Sequence, residues 1–147
     1  MSYSIKEVSQ KVGLSIYTLR FYDKQGLLPF VARNDAGYRE FTDGDLNLIH
    51  TICCLKETGM KISDIRQYIE FVMAGPETVD SRKNLLLSHR QEVLEKQKKI
   101  EESLQEIDYK IGMYSSEDAK KQVALEVNYA IAEKEKHGLS NPYAGFN

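Results

Sequence analysis

The most reactive side chains in this 147-residue chain are two adjacent thiols, Cys53 and Cys54, with the imidazole of His50 four residues before the second. A thiolate is both a nucleophile and a soft-metal ligand, and an imidazole that is protonated or hydrogen-bonded beside it favours that form. Glu57, three residues beyond Cys54, works the other way. On a helical wheel of about 100° per residue, Leu46, Leu48, Ile49, Ile52, Cys53 and Leu55 fall within one half-circle, and Cys54 lies outside it between His50 and Asn47. Cys53 is therefore expected to be a small core residue and Cys54 an accessible thiol, either a sensor or an inert surface group. A disulfide between neighbours would distort the helix. The two are the only thiols, with no CxxC spacing and no paired histidines, so no metal is expected. His50, His89 and His137 lie far apart, and no nucleophile, base and orienting acid come together in the sequence. There is no phosphate loop or dinucleotide fingerprint. Neither catalysis nor a cofactor is expected.

A second chemistry is concentrated between Ser15 and Phe41, where hydroxyls and cations gather. Ser15 suits a helix N-cap, and Ile16, Leu19 and Asp23 follow at helical spacing, leaving Tyr17, Thr18, Arg20 and Lys24 on other faces. Gly26 ends that helix and Leu27-Leu28-Pro29 starts an extended run. Arg33 to Arg39 then reads as a turn with a cation on each side. Such a helix, followed by a basic hairpin, suits a phosphate-lined groove. Tyr17 and Arg20 are expected to face the major groove, and Arg33, Tyr38 and Arg39 to hold phosphates or the adjacent minor groove. Thr18, Tyr22 and Lys24 complete the candidate contacts, while Leu19 and Asp23 are expected to be structural.

The elements that must position these residues are legible on both sides. Ser4-Ile5-Lys6-Glu7 is a capping box. Ile5, Val8 and Val12 form an apolar stripe that stops at Gly13, and Val12-Gly13-Leu14-Ser15 leaves the short connection of a helix-turn-helix. Thr42 with Asp45 caps a helix to about Thr58, and Ser63 is expected to cap another that ends near Ala74-Gly75-Pro76.

Thr18-Leu19-Arg20-Phe21-Tyr22-Asp23, Gly26-Leu27-Leu28-Pro29, Arg33, Gly37-Tyr38-Arg39 and Phe41 resemble, in order and spacing, the signature of the MerR family of bacterial transcription regulators. Phe21-Tyr22 stands where many members have two tyrosines. The resemblance implies a winged helix-turn-helix, a long dimerisation helix, and a homodimer that bends and untwists promoter DNA so that RNA polymerase can read misaligned elements. Metal-sensing members carry cysteines at the start of the dimerisation helix and just after it. Ser81-Arg82-Lys83 and Gly112-Met113-Tyr114-Ser115-Ser116 depart from that pattern. Cys54-Leu55-Lys56-Glu57-Thr58-Gly59-Met60 and Asp108-Tyr109-Lys110-Ile111 resemble the NmlR- or AdhR-like subgroup. That likeness implies a response to aldehydes or other small electrophiles through Cys54. A regulator sensing another small ligand with inert cysteines, or a coiled-coil adaptor that does not bind DNA, remains open.

Charge agrees with a reading head on an acidic body. Residues 1–39 carry six Lys and Arg against three acids, a net of +3, and the remainder carries 14 against 19, a net of −5, giving −2 overall. No stretch approaches the roughly 18 apolar residues of a membrane span, and the first residues lack the apolar core of a signal peptide. With only two adjacent thiols, a reducing cytoplasm is the expected location.

From about Asp80 to Ser115 the chain reads as one helix, roughly 50 Å long. Leu86, Val93, Ile100, Ile107 and Tyr114 recur every seven residues, and Leu104 and Ile111 fill the second seam position. In the N-terminal half that position is polar, at Lys83, Arg90 and Gln97. A long helix with such a seam needs a partner, so Leu86, Val93, Ile100, Leu104, Ile107 and Ile111 are the expected dimerisation residues. Leu85, Leu87 and Leu94 broaden the N-terminal face. The expected chain is mainly α. It has a winged helix-turn-helix domain at 1–75, a coiled-coil dimerisation helix at 80–115, and a C-terminal helix and tail at 116–147. Tyr143 and Phe146 of the tail are either docked aromatics or exposed ends.

Overall fold

The computed structural model of the chain describes residues 1–143 and Gly145. The elements in chain order are β1 (Ser2–Tyr3), α1 (Ile5–Val12), α2 (Ile16–Lys24), β2 (Ala32–Arg33), β3 (Arg39–Thr42), α3 (Asp43–Glu57), α4 (Ile62–Met73), a 3-10 turn (Pro76–Thr78), α5 (Val79–Tyr114) and α6 (Ala119–Lys136). The fold is mainly helical, with a winged helix-turn-helix at its N-terminal end and one long helix. The chain falls into two compact units, Met1–Lys96 and Gln97–Asn147.

Local sequence accounts for the helix starts. The amide of Glu7 donates to Ser4 Oγ at 3.3 Å and the amide of Ser4 donates to the Glu7 carboxylate at 2.7 Å, so two amides at the start of α1 are satisfied reciprocally. Thr42 and Asp45 repeat the arrangement at α3, and Ser15 Oγ accepts the amide of Thr18 at α2. Helix α4 differs from the sequence expectation. It begins at Ile62 with Lys61 as N-cap and no side-chain cap, rather than after Ser63. The amides of Asp64 and Ile65 both bond the Lys61 carbonyl at 3.0 Å. Starting there puts Ile62, Ile65 and Ile69 on one face against the core, which outweighs the cap that Ser63 would supply.

The sheet runs β1-β3-β2, antiparallel throughout. Tyr3 opposes Phe41 and Arg33 opposes Arg39. The two-residue β1 carries no periodicity and has no counterpart in the sequence reading. Val8, Leu19, Leu27, Leu28, Phe41, Ile49, Ile52, Ile65 and Ile69 form the core, drawn from α1, α2, β3, α3, α4 and the segment after α2. Two arginines fasten helix ends. Arg66 of α4 donates to the Gln25 carbonyl at 2.7 Å, just past α2. Arg82 of α5 donates to the carbonyls of Phe71, Val72 and Gly75 and to Thr78 Oγ1, satisfying the C-terminal end of α4.

Leu86, with Leu85, is partly buried against the core of its own unit, because the first turns of α5 cover that core. Val93 is half-buried, while Ile100, Leu104, Ile107 and Ile111 are exposed on the single chain. The expected C-terminal helix is present as α6, and Tyr143 is exposed. Phe146 lies outside the described residues.

Candidate nucleic-acid interface

Helix α2 turns a narrow face to solvent. Its exposed residues are Tyr17, Arg20, Phe21 and Lys24, spaced i, i+3, i+4 and i+7, which is one stripe of a helix. Tyr17 is 81% exposed. Thr18 is half-buried, and its hydroxyl lies 2.9 Å from Ser15 Oγ at the cap. Tyr22 corrects the sequence reading: at 6% exposure it belongs to the core, and burial pushes its phenol up, with smaller contributions from Cys53 and Glu57. A side chain so enclosed packs the helix rather than touching a duplex. Phe21 is not among the contacts expected from the sequence, because an apolar residue beside the core positions reads as packing.

The wing is the β2–β3 hairpin, and its tip is preformed. Asn34 Oδ1 accepts the amides of Ala36 and Tyr38 at 3.1 and 3.0 Å, and the Asn34 amide donates to the Tyr38 carbonyl at 2.8 Å. Gly37 takes a φ of 85°, which a glycine supplies without steric cost. Tyr38 projects into solvent at 72% exposure, and Arg33 bonds the Gly37 carbonyl at 2.8 Å while remaining exposed.

Two like charges face each other across the hairpin at Arg33 and Arg39, a pairing that destabilises strands unless the side chains diverge. They diverge because Arg39 turns inward. Its Nε and Nη2 donate to the Asp23 carboxylate at 3.1 and 2.8 Å, and Nη1 donates to the Val31 carbonyl. The guanidinium expected to hold phosphates is therefore engaged within the protein. The two-pronged pair fixes the wing to α2, and Asp23 has the structural part expected of it. The signal was present in the sequence as an acid on the inner side of a reading helix.

The thiols lie on α3. Cys54 is exposed, with Sγ 3.7 Å from His50 Nε2. Cys53 is half-buried against the core. Burial pushes its thiol up, helped by the nearby charges of Glu57 and Cys54. An open depression lined by Lys11, Val12, Leu46, His50, Cys53 and Glu57 adjoins Cys54. Two residues that the sequence reading did not connect link this helix end to α5. Thr58 Oγ1 donates to the Cys54 carbonyl at 2.8 Å and lies 2.7 Å from Nε2 of His89, which is only 8% exposed. No periodicity pairs residues 31 apart, so no sequence signal could have found this contact. Among the described residues no three His, Cys, Asp or Glu side chains gather to hold a metal ion, and no helix is long and apolar enough to cross a membrane.

Comparison with known proteins bears on this geometry. Residues 3–71 match the family described as MerR HTH family regulatory protein. An uncharacterised HTH-type transcriptional regulator of Haemophilus influenzae is 38% identical over 119 residues, covering 81% of this chain and 88% of that protein. The HTH-type transcriptional regulator AdhR of Bacillus subtilis is 36% identical over 92 residues, covering 63% and 66%. The crystal structure of HiNmlR, a MerR family regulator lacking the sensor domain and bound to promoter DNA, superposes with a TM-score of 0.73 at 38% identity. That match covers 78% of this chain and 90% of HiNmlR. With the signature motif, the stabilised wing and a relative matched over most of its length, the chain belongs to the MerR family of helix-turn-helix DNA-binding transcriptional regulators.

Proposed function

We propose that this regulator works as a homodimer on a pseudo-palindromic promoter, with a winged helix-turn-helix (1–75) on each half-site, a coiled-coil helix (80–115) joining the chains and a C-terminal tail (116–147). The observation that carries the reading is the exposed stripe on α2 beside a wing that Asp23 and Arg39 lock to it. Tyr17, Arg20 and Lys24 meet the major groove, and Arg33 and Tyr38 meet the backbone or the adjacent minor groove. Arg39 positions the wing. Ile100, Leu104, Ile107 and Ile111 are large apolar side chains that a single chain leaves in water, and a second copy buries them. Val93 continues that seam. Bending and untwisting the spacer costs several kcal/mol, which contacts on both half-sites offset, and RNA polymerase in the cytoplasm then engages the realigned elements.

The same reading makes Cys54 the sensor for aldehydes and related electrophiles, as in the NmlR- or AdhR-like subgroup. The thiolate sulfur bonds the aldehyde carbon, the carbonyl π pair moves to oxygen, and that oxygen takes a proton from water or from His50 to give a hemithioacetal. Exposure of the thiol and the nearby imidazole support it over Cys53. Footprinting on the DNA upstream of the protein's own gene tests the whole reading. Protection of two related half-sites is expected, and uniform binding without protection at any salt concentration would overturn it.

A further inference from the structure

Of the four residues on the exposed stripe of α2, three carry a cation or a hydroxyl and suit phosphates or base-edge acceptors. Phe21 carries neither, yet it is 41% exposed. Its ring meets the ring of Tyr22 at a centroid distance of 6.2 Å and a tilt of 48°, and Tyr22 is anchored in the core. Tyr17, Arg20, Phe21 and Lys24 line one open depression with Asp23 and Arg39, so the ring lies among the polar side chains that face the groove. In the major groove the apolar feature on a base edge is the C5-methyl group of thymine. An aromatic ring has only two side-chain torsions to fix, so it loses little conformational freedom on contact.

We infer that Phe21 is a specificity residue, packing its ring on a thymine methyl in each half-site and so discriminating thymine from cytosine at that position. The inference rests on the proposed reading of DNA by α2. A ring lying on deoxyribose instead would weaken binding to every sequence alike.

The test uses the duplex recovered when the wild-type protein selects from a random pool, with each thymine replaced singly by deoxyuridine, which removes only the methyl group. Wild-type protein should lose about fourfold in affinity at one position per half-site and about fifteenfold when both are replaced, the worth of one and two buried methyl groups. Phe21→Ala should bind the thymine duplex correspondingly more weakly and be indifferent to deoxyuridine, while Phe21→Tyr should keep the dependence. The inference is overturned if the wild type tolerates every replacement, or if Phe21→Ala keeps the wild-type sensitivity. Failure of the pool to yield any preferred sequence would instead sink the DNA reading itself, and this inference with it.

Discussion

The hydroxyl of Thr58 joins the carbonyl of Cys54 to the imidazole of His89, at 2.8 and 2.7 Å. A hydroxyl has one proton, and a carbonyl can only accept. With that proton on the Cys54 carbonyl, the 2.7 Å contact calls for Nε2–H on His89, the tautomer this geometry predicts. The contact ties the last turn of α3, next to the Cys54 thiol, to α5, the helix that carries the proposed seam.

Replacing Thr58 by Val removes the acceptor and leaves the imidazole N–H unpaired in a buried place. The cost should be about 1–3 kcal/mol, read by urea denaturation. Nitrogen-15 NMR of wild-type His89 should report a protonated Nε2. A neutral Nδ1–H tautomer, or no loss of stability in Thr58→Val, would sink the assignment.

The Asp23–Arg39 pair separates two kinds of arginine. Arg33→Ala should lower the slope of log K against log salt by about 0.9, the signature of one lost phosphate contact. Arg39→Ala should weaken binding by loosening the wing while leaving that slope nearly unchanged. Asp23→Asn should behave like Arg39→Ala. Equal slope changes in the two arginine variants would show that Arg39 reaches the backbone after all.

Ile107 is 52% exposed on the single chain. Ile107→Asp places a charge in the proposed seam, where an unpaired buried charge costs several kcal/mol. Monomers are expected by light scattering, with poor operator binding because two half-sites are no longer held together. A wild-type monomer at micromolar concentration would remove the basis for the seam.

For the thiols, brief exposure to an aldehyde followed by mass spectrometry should find the adduct on Cys54. The Cys53 thiol is pushed up by burial, so less of it is thiolate at neutral pH and it should react more slowly. In a reporter assay Cys54→Ser should abolish the aldehyde response and Cys53→Ser should keep it. The reverse pattern would make Cys53 the sensor.

What the sequence disclosed were features with a short range. The caps at Ser4, Ser15 and Thr42, the turn at Gly37 and the break at Gly75-Pro76 each depend on residues within a few positions, so spacing alone reveals them. Cys53 and Cys54 were told apart by a helical wheel for the same reason. Tyr22 is misplaced by the sequence because composition cannot say which of two apolar faces a neighbouring element covers. The inward turn of Arg39 and the Thr58–His89 contact depend on pairs 16 and 31 positions apart, brought together by the hairpin and by the α3–α4–α5 path, and no local pattern encodes them.

Arg66 and Arg82 hold the helix ends of the reading head by bonding mainly to carbonyl groups rather than to carboxylates. Dissolved ions weaken attraction between separated full charges far more than a buried hydrogen bond to an oriented dipole. The ionic strength that strips this protein from a polyanion therefore leaves these helix ends in register. On release from one stretch of duplex, the ends of α2 and α4 need not re-form before the next is engaged.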